Sequence, residues 1–380
     1  MNKVKYSLSM FLKVVTRFYF NRKYNVNYVY KGFSPQRRGP FFLIGNHVLL
    51  LDAFFANFAI KGYAIPVVNA IVYTNKIEKI SMTIVIDSIV KRKGQSDITT
   101  IRNIRKFVKE GRSIQVYPEG NTSYYGNTGE SLYSTAKLFK MQKIDVIVAK
   151  TKGGYFAKPR WRATRTFKPY VELEFKILFT VKELEIFTID EIFETMIKAY
   201  YHNDYEWNKS RKHKYVGKDR LLGAHRVIYA CPECNSINQI TSESDSIICT
   251  NCNSKGTIND YGFIENTKFD NFVEWGNFQE DLLKLKLHEK YEIEVQYYQI
   301  DWKINKKVFI SNAILMYEYG VFRIEYEDII KEIIIIKIIG ETYTETNQFS
   351  FDYERDTYLF ITEKPKLLLD LVKFNKEEIL

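Results

Sequence analysis

Two short stretches of this 380-residue chain hold residue types that can move a proton, and a third holds all four of its thiols. The run Asn46-His47-Val48-Leu49-Leu50-Leu51-Asp52 sets an imidazole and a carboxylate five positions apart, directly after an apolar run at 41–44. On a regular helix five positions turn through about 500°, so the two side chains would diverge. They meet if His47 sits in a turn and Asp52 caps the helix that follows. Asp52 then accepts a hydrogen bond from one imidazole N–H, fixes the tautomer, and leaves the other nitrogen as a general base for a hydroxyl. A lone His and Asp at this spacing are more often a turn residue and an N-cap. A second stretch, Tyr117-Pro118-Glu119-Gly120-Asn121-Thr122-Ser123, places an acid, a glycine and hydroxyls after another apolar strand. Ligands of open α/β sheets bind at such strand ends. There Gly120 admits close approach of a backbone, and N–H groups with Thr122 and Ser123 suit phosphate or carbonyl oxygens.

Cys231-x2-Cys234 and Cys249-x2-Cys252, fourteen residues apart, use every cysteine in the chain. Two such knuckles read as a structural Zn2+ ribbon, in which four thiolates close a tetrahedron and leave no open position for chemistry. Between Cys231 and Cys252 stand Glu233, Glu243 and Asp245 and no Lys or Arg. A nucleic-acid partner is therefore weighed low, because a phosphate backbone needs cations.

In their order and separation, the first two motifs resemble the lysophosphatidic acid acyltransferase family (1-acyl-sn-glycerol-3-phosphate acyltransferases). That family carries Asn-His-x4-Asp, matched by Asn46, His47 and Asp52, and a Pro-Glu-Gly-Thr-Arg-Ser-like block, matched by Pro118 to Ser123. The resemblance spans roughly residues 25 to 185 and includes Tyr28-Val29-Tyr30-Lys31-Gly32. It implies acyl transfer from an acyl-carrier-protein or coenzyme A thioester to the free hydroxyl of a lysophospholipid acceptor, in phospholipid biosynthesis. His47 would be the base, Asp52 its orienting partner, and Glu119, Gly120 and Ser123 an acceptor-binding wall. The family arginine is Thr122 here, so either other cations hold the acceptor's phosphate or the acceptor differs. Lys91 and Arg92, followed by Lys93, are candidates, although they equally suit a solvated turn. The competing reading is a non-catalytic lipid- or nucleic-acid-binding adaptor on a degenerate acyltransferase fold.

The elements that must position these residues follow from periodicity. Apolar runs near 41–44, 64–68, 84–90, 113–116, 145–149 and 171–179 alternate with helix-like segments near 53–60, 98–110 and 131–140. This predicts an α/β domain with a mixed, largely parallel sheet flanked by helices. The expected layout is an amphipathic N-terminal segment at 1–24, the acyltransferase domain at 25–185, and a helical linker at 186–226. A zinc ribbon at 227–258 and a small β-rich domain at 259–380, pleckstrin-homology-like in outline, complete it. Composition suits folded domains, with 46% hydrophobic and 27% charged residues. The net charge of +11 does not choose between nucleic acid, anionic lipid and acidic substrate. In the first two dozen residues, however, Lys3, Lys5, Lys13, Arg17, Arg22 and Lys23 interleave with Phe11, Phe18, Tyr19 and Phe20. Such a segment suits a membrane lipid surface, or else a first helix packed on its own domain. No run is long and apolar enough to span a bilayer, so the expectation is a peripheral protein on the cytoplasmic face of the membrane.

Overall fold

The structure is a computed structural model that describes residues 3–75, 87–93, 98–344 and 346–378, with side chains from residue 7 onward. These residues divide into two compact units. One takes residues up to 91 with 98–159 and 165–215, and the other takes 92–93, 160–164 and 216–378.

The first unit is α/β. Its strands are β1 (Val26–Lys31), β2 (Phe42–Ile44), β3 (Ile65–Asn69), β4 (Ile89–Lys91), β5 (Ile114–Val116), β6 (Val146–Lys152) and β7 (Val171–Phe179). They form one sheet in the order β1-β7-β6-β2-β5-β3-β4, parallel throughout except between β6 and β7. The predicted strand at 84–90 survives as β4, while 84–86 lie outside the described residues. The strands read as apolar runs because both faces are covered, and alternate residues serve opposite cores. Leu43, Ile147, Ala149 and Phe175 join Tyr24 of α1 (Lys3–Tyr24) and Phe55 and Phe58 of α2 (Asp52–Phe58). Phe42, Ile44, Val146 and Val148 face the other way, onto Ile104 of α3 (Ile98–Lys109) and Phe139 of α4 (Ser134–Gln142).

That second core also takes Ile192, Met196 and Tyr200 of α5 (Ile189–Tyr200). The segment expected to begin a linker at 186 is thus a wall of the first unit. A capping box starts α5: Thr188 accepts the Glu191 N–H, and Glu191 reaches back to Thr188. Its i, i+4, i+8 apolar positions then have a face to bury.

The N-terminal helix packs on its own unit at one end and keeps a set of apolar side chains exposed. Tyr24 is buried against Phe55, with ring centroids 5.6 Å apart, and Lys13 Nζ donates to the Ile60 and Gly62 carbonyls at 2.7 and 2.6 Å. Leu8, Phe11, Val14, Val15, Phe18 and Tyr19 stay exposed. No helix among the described residues is long and apolar enough to cross a membrane.

The second unit holds a four-stranded antiparallel sheet in the order β11-β10-β9-β8, made of β8 (Ile240–Glu243), β9 (Ser246–Cys249), β10 (Lys255–Ile258) and β11 (Ile264–Glu265). After α6 (Phe272–Leu285) comes a seven-stranded antiparallel sheet ordered β15-β14-β13-β12-β18-β17-β16. It comprises β12 (Tyr291–Asp301), β13 (Lys306–Glu318), β14 (Val321–Tyr326), β15 (Ile329–Ile334), β16 (Ile339–Thr344), β17 (Gln348–Tyr353) and β18 (Asp356–Ile361), and α7 (Pro365–Glu377) closes the chain. Along β12 Tyr291, Ile293, Val295 and Tyr297 are buried while Glu292, Glu294 and Gln296 face water, the alternation of a half-buried antiparallel strand. The ribbon and the β-rich segment, expected as separate domains, share one core. Tyr229, Ala230 and Ile237 pack with Leu283, Leu315 and Phe360, and Gln279 of α6 bridges the Tyr229 N–H and the Val227 carbonyl.

Candidate active site and metal centre

His47 and Asp52 lie where β2 gives way to α2. A Cβ on Gly45 would stand 2.2 Å from the Ala149 carbonyl oxygen, so only glycine lets the chain leave β2 this close to β6. Asn46 then turns its amide onto the backbone of Thr151, giving and taking one hydrogen bond of 2.8 Å each. The loop delivers the His47 Nδ1 atom to 2.8 Å from Asp52 Oδ1, with the His47 side chain 17% exposed and that of Asp52 0%. Asp52 Oδ2 accepts the Leu49 N–H at 3.1 Å. Asp52 is the first residue of α2 rather than its cap; Leu51 occupies the cap position without a side-chain bond. An ionised Asp52 can only accept, so Nδ1 carries the proton and Nε2 is the basic nitrogen.

The Glu119 block clamps the same loop. Tyr117 to Gly120 is a β-turn with Pro118 second, closed by the Gly120 N–H on the Tyr117 carbonyl at 3.1 Å, and Gly120 takes a φ of +66° that favours glycine. Glu119 does not point outward as an acceptor ligand would. Its Oε1 accepts the His47 N–H at 2.8 Å, and its Oε2 accepts the Gly129 N–H at 2.7 Å. Burial pushes its carboxyl up to about 7, against the pull of those two N–H groups. The Ser123 N–H donates to the His47 carbonyl at 2.6 Å, so the residue bearing the imidazole is held on both sides of its own peptide units. The Ser123 hydroxyl is spent within its loop, donating to Asn127 O and accepting the Gly126 N–H. Thr122, at the family's arginine position, is buried.

Three further residues, which the sequence reading passed over, support the pair from below. The Tyr117 ring stacks on the His47 imidazole with centroids 4.4 Å apart, and its hydroxyl accepts a hydrogen bond from Gln115 Nε2 at 3.2 Å. Gln115 also donates to the Ala53 carbonyl at 3.0 Å and accepts a short hydrogen bond from Asn57 Nδ2. The Asn57 Oδ1 atom takes the Ala64 N–H at 2.8 Å. The available signal was a glutamine between Ile114 and Val116 in a strand otherwise apolar, since a buried amide must find partners.

Of the two cations expected to hold phosphate, Lys91 ends β4 and Arg92 belongs to the second unit. The Arg92 guanidinium bonds both Asp352 oxygens at 3.1 and 3.0 Å and Thr357 Oγ1 at 2.8 Å, and lies over the Trp302 ring. Arg92 is thus a member of an ion pair with the buried Asp352 of its own unit.

The four cysteine Sγ atoms lie within 4.8 Å of one another. Cys231 and Cys252 are 3.7 Å apart, and Cys234 and Cys249 are 3.8 Å apart. A zinc ion with Zn–S bonds of about 2.3 Å needs tetrahedron edges of about 3.8 Å, so the donor set fits that ion. Each knuckle continues Asn-Ser, and the two fold alike. Asn235 and Asn253 take positive φ, their N–H groups bond the Cys231 and Cys249 carbonyls, and Ser236 and Ser254 accept the N–H groups of those same cysteines. Hydrogen bonds from Asn251 and Ser236 lower the Cys234 thiol to about 6, and burial pushes Cys231 up to about 12.

No protein-family model matches the chain, and no curated protein matches it. Among solved structures, it is similar to the crystal structure of the 1-acyl-sn-glycerophosphate (LPA) acyltransferase PlsC from Thermotoga maritima. The identity is 14%, the TM-score is 0.41, and the match covers 57% of this chain and 81% of that one. The chemistry open to the site follows from its own geometry.

Proposed function

We propose that the first unit is an acyltransferase that moves a fatty acyl group from an acyl-carrier-protein or coenzyme A thioester to the free hydroxyl of a lysophospholipid, such as 1-acyl-glycerol-3-phosphate. The observation that carries this reading is the His47–Asp52 pair itself: a buried acid 2.8 Å from a half-buried imidazole, on a loop at the end of a largely parallel sheet. Nε2 of His47 takes the acceptor's hydroxyl proton as the oxygen attacks the thioester carbonyl. The tetrahedral intermediate collapses with loss of the C–S bond, and the departing thiolate takes the proton back from the imidazolium. An ester and a free thiol result, and Asp52 keeps the tautomer throughout. The turn from Gly120 to Ser123 is the wall against which the acceptor lies, with Glu119 behind it.

A lipid acceptor is favoured by α1, whose exposed Phe11, Val15, Phe18 and Tyr19 stand among basic residues and suit the cytoplasmic face of a membrane. The cysteine cluster takes a structural zinc ion. The test is acyl transfer by the purified full chain, with both thioester donors and a panel of lysophospholipids. We expect His47→Ala to lower the rate by about 100- to 10,000-fold with an unchanged melting temperature. Equal rates for the variant and the wild type, or no transfer to any acceptor from either donor, would overturn the proposal.

A further inference from the structure

The first unit holds a second buried His–Asp pair, outside the motifs and unused by the reaction. His202 Nε2 stands 2.6 Å from Asp204 Oδ1, and the two side chains are 8% and 0% exposed. Asp204 Oδ1 also accepts the Gly153 N–H at 2.6 Å, and its Oδ2 accepts the Tyr155 N–H at 2.8 Å. Both oxygens of this carboxylate thus end on donors of the chain itself, as a buried acid requires. A carboxylate so spent is a brace, not a base. What it braces is the turn that leaves β6. A Cβ on Gly154 would stand 2.8 Å from Val48 Cγ2 and 3.3 Å from Leu49 Cβ, so this turn lies directly against the loop between His47 and Asp52. In that loop the Leu49 N–H is the one that Asp52 Oδ2 accepts. The backbone of the same segment grips the other loop that holds His47. The His202 N–H donates to Thr128 Oγ1 at 2.9 Å, the Thr128 N–H to the His202 carbonyl at 2.8 Å, and the Asp204 N–H to the Gly126 carbonyl at 2.9 Å. From that loop the Ser123 N–H reaches the His47 carbonyl, and the Gly129 N–H reaches Glu119, whose other oxygen takes the His47 N–H.

We propose that Asp204, seated by His202, is a positioning residue for the His47–Asp52 pair. Its carboxylate fixes the Gly153–Tyr155 turn against Val48 and Leu49, and its own segment fixes the loop that ends on both peptide groups of His47. The imidazole is thereby held between two walls tied to one point. A base displaced by about 1 Å can lose about 100-fold in rate, so such a brace acts on the chemical step more than on substrate affinity. The rate consequence rests on the acyl-transfer reading; the placement of the imidazole does not.

The experiment combines acyl-transfer kinetics with the proton NMR signal of the His47 Nδ1–H in the full-length protein, assigned by its loss in His47→Gln. Asp204→Asn keeps the size of the side chain and gives up one acceptor oxygen. We expect its kcat to fall about 10- to 100-fold with KM changed less than about twofold, and the His47 signal to shift or broaden. His202→Gln, which offers an amide N–H near the place of Nε2, keeps most of the rate, whereas His202→Leu loses it. Gly154→Ala presses on Val48 and Leu49 from the same turn with Asp204 intact. It should move the His47 signal too, which covers the case in which Asp204→Asn fails to fold. An unmoved His47 signal in the folded variants, with only a lower melting temperature, would overturn the proposal and leave Asp204 as scaffold. Equal losses in His202→Gln and His202→Leu would overturn it as well. Absence of acyl transfer in the wild type would sink the reaction assigned above, while the His47 signal would still decide the role of Asp204.

Discussion

The two units each gather polar side chains around one point, and they do so by opposite means. In the C-terminal unit every donor comes from a 22-residue segment, Cys231 to Cys252, whose two Cys-x2-Cys-Asn-Ser turns fold alike. In the N-terminal unit His47 and Asp52 are neighbours along the chain, but what holds them comes from Asn57, Gln115, Tyr117 and Glu119. The first is a closed shell of equivalent ligands. The second is a pair of unlike groups held by side chains from other parts of the unit, with the imidazole side chain 17% exposed.

The largest expected effect is the closed shell's dependence on its ion. Structural zinc in small thiolate sites binds with an apparent free energy of about 10 kcal/mol or more, which becomes folding free energy. Because Tyr229, Ala230 and Ile237 sit in the core of the β-rich segment, the loss should spread beyond the ribbon. One zinc per chain by elemental analysis, and a large fall in the melting temperature of the C-terminal unit with a tight chelator or with Cys234→Ser, are the outcomes to measure. A metal-free protein that melts unchanged would erase the contrast between the two sites.

A smaller effect should follow from cutting the open site's network at its far end. Asn57→Leu leaves the Gln115 Oε1 and the Ala64 N–H without their partner in an apolar surround. Two such orphans cost about 2 kcal/mol or more, read as a shifted denaturation midpoint. A shift of only a few tenths of a kcal/mol would mean that the amides are incidental to the dyad.

How much of this was legible follows the same division. The gathering of the four cysteines could be read because they are local along the chain. Strands β2, β5, β6 and β7 could be found because a strand buried on both faces must be apolar. The antiparallel step between β6 and β7, and the pairing of β1 with β7, depend on tertiary packing that no periodicity encodes. His47 and Asp52 were visible as a pair, but Glu119 reads as a ligand until its carboxylate is seen to end on two backbone N–H groups. Arg92 finds its partner 260 residues away, beyond any local signal. The helix at 189–200 was visible, but not the core it joins.

The smallest effect sets two carboxylates against each other and shows what burial does to the same chemistry. Glu363, with its side chain 52% exposed, accepts from His225 Nε2 at 2.8 Å and from Arg226 Nε and Nη2 at 2.8 and 2.9 Å. The His225 bond first, and Arg226 after it, hold its carboxyl down to about 2. Glu119 also accepts two N–H bonds, yet burial wins and its carboxyl rises to about 7. Their contributions to stability must therefore run in opposite directions with pH. Glu363, lower in the folded chain than the ordinary 4.5, contributes stability that is present above that value and lost as pH falls toward 2. Glu119, raised in the folded chain, contributes stability that is present below 4.5 and lost as pH rises through 7. Denaturation midpoints of Glu363→Gln should thus approach those of the wild type in acid, from a gap of at most about 1 kcal/mol near neutrality, since exposed pairs are screened. Those of Glu119→Gln should diverge from the wild type with the opposite slope. Parallel slopes for the two variants would mean that the buried carboxyl beneath the His47 backbone is as well solvated as the exposed one.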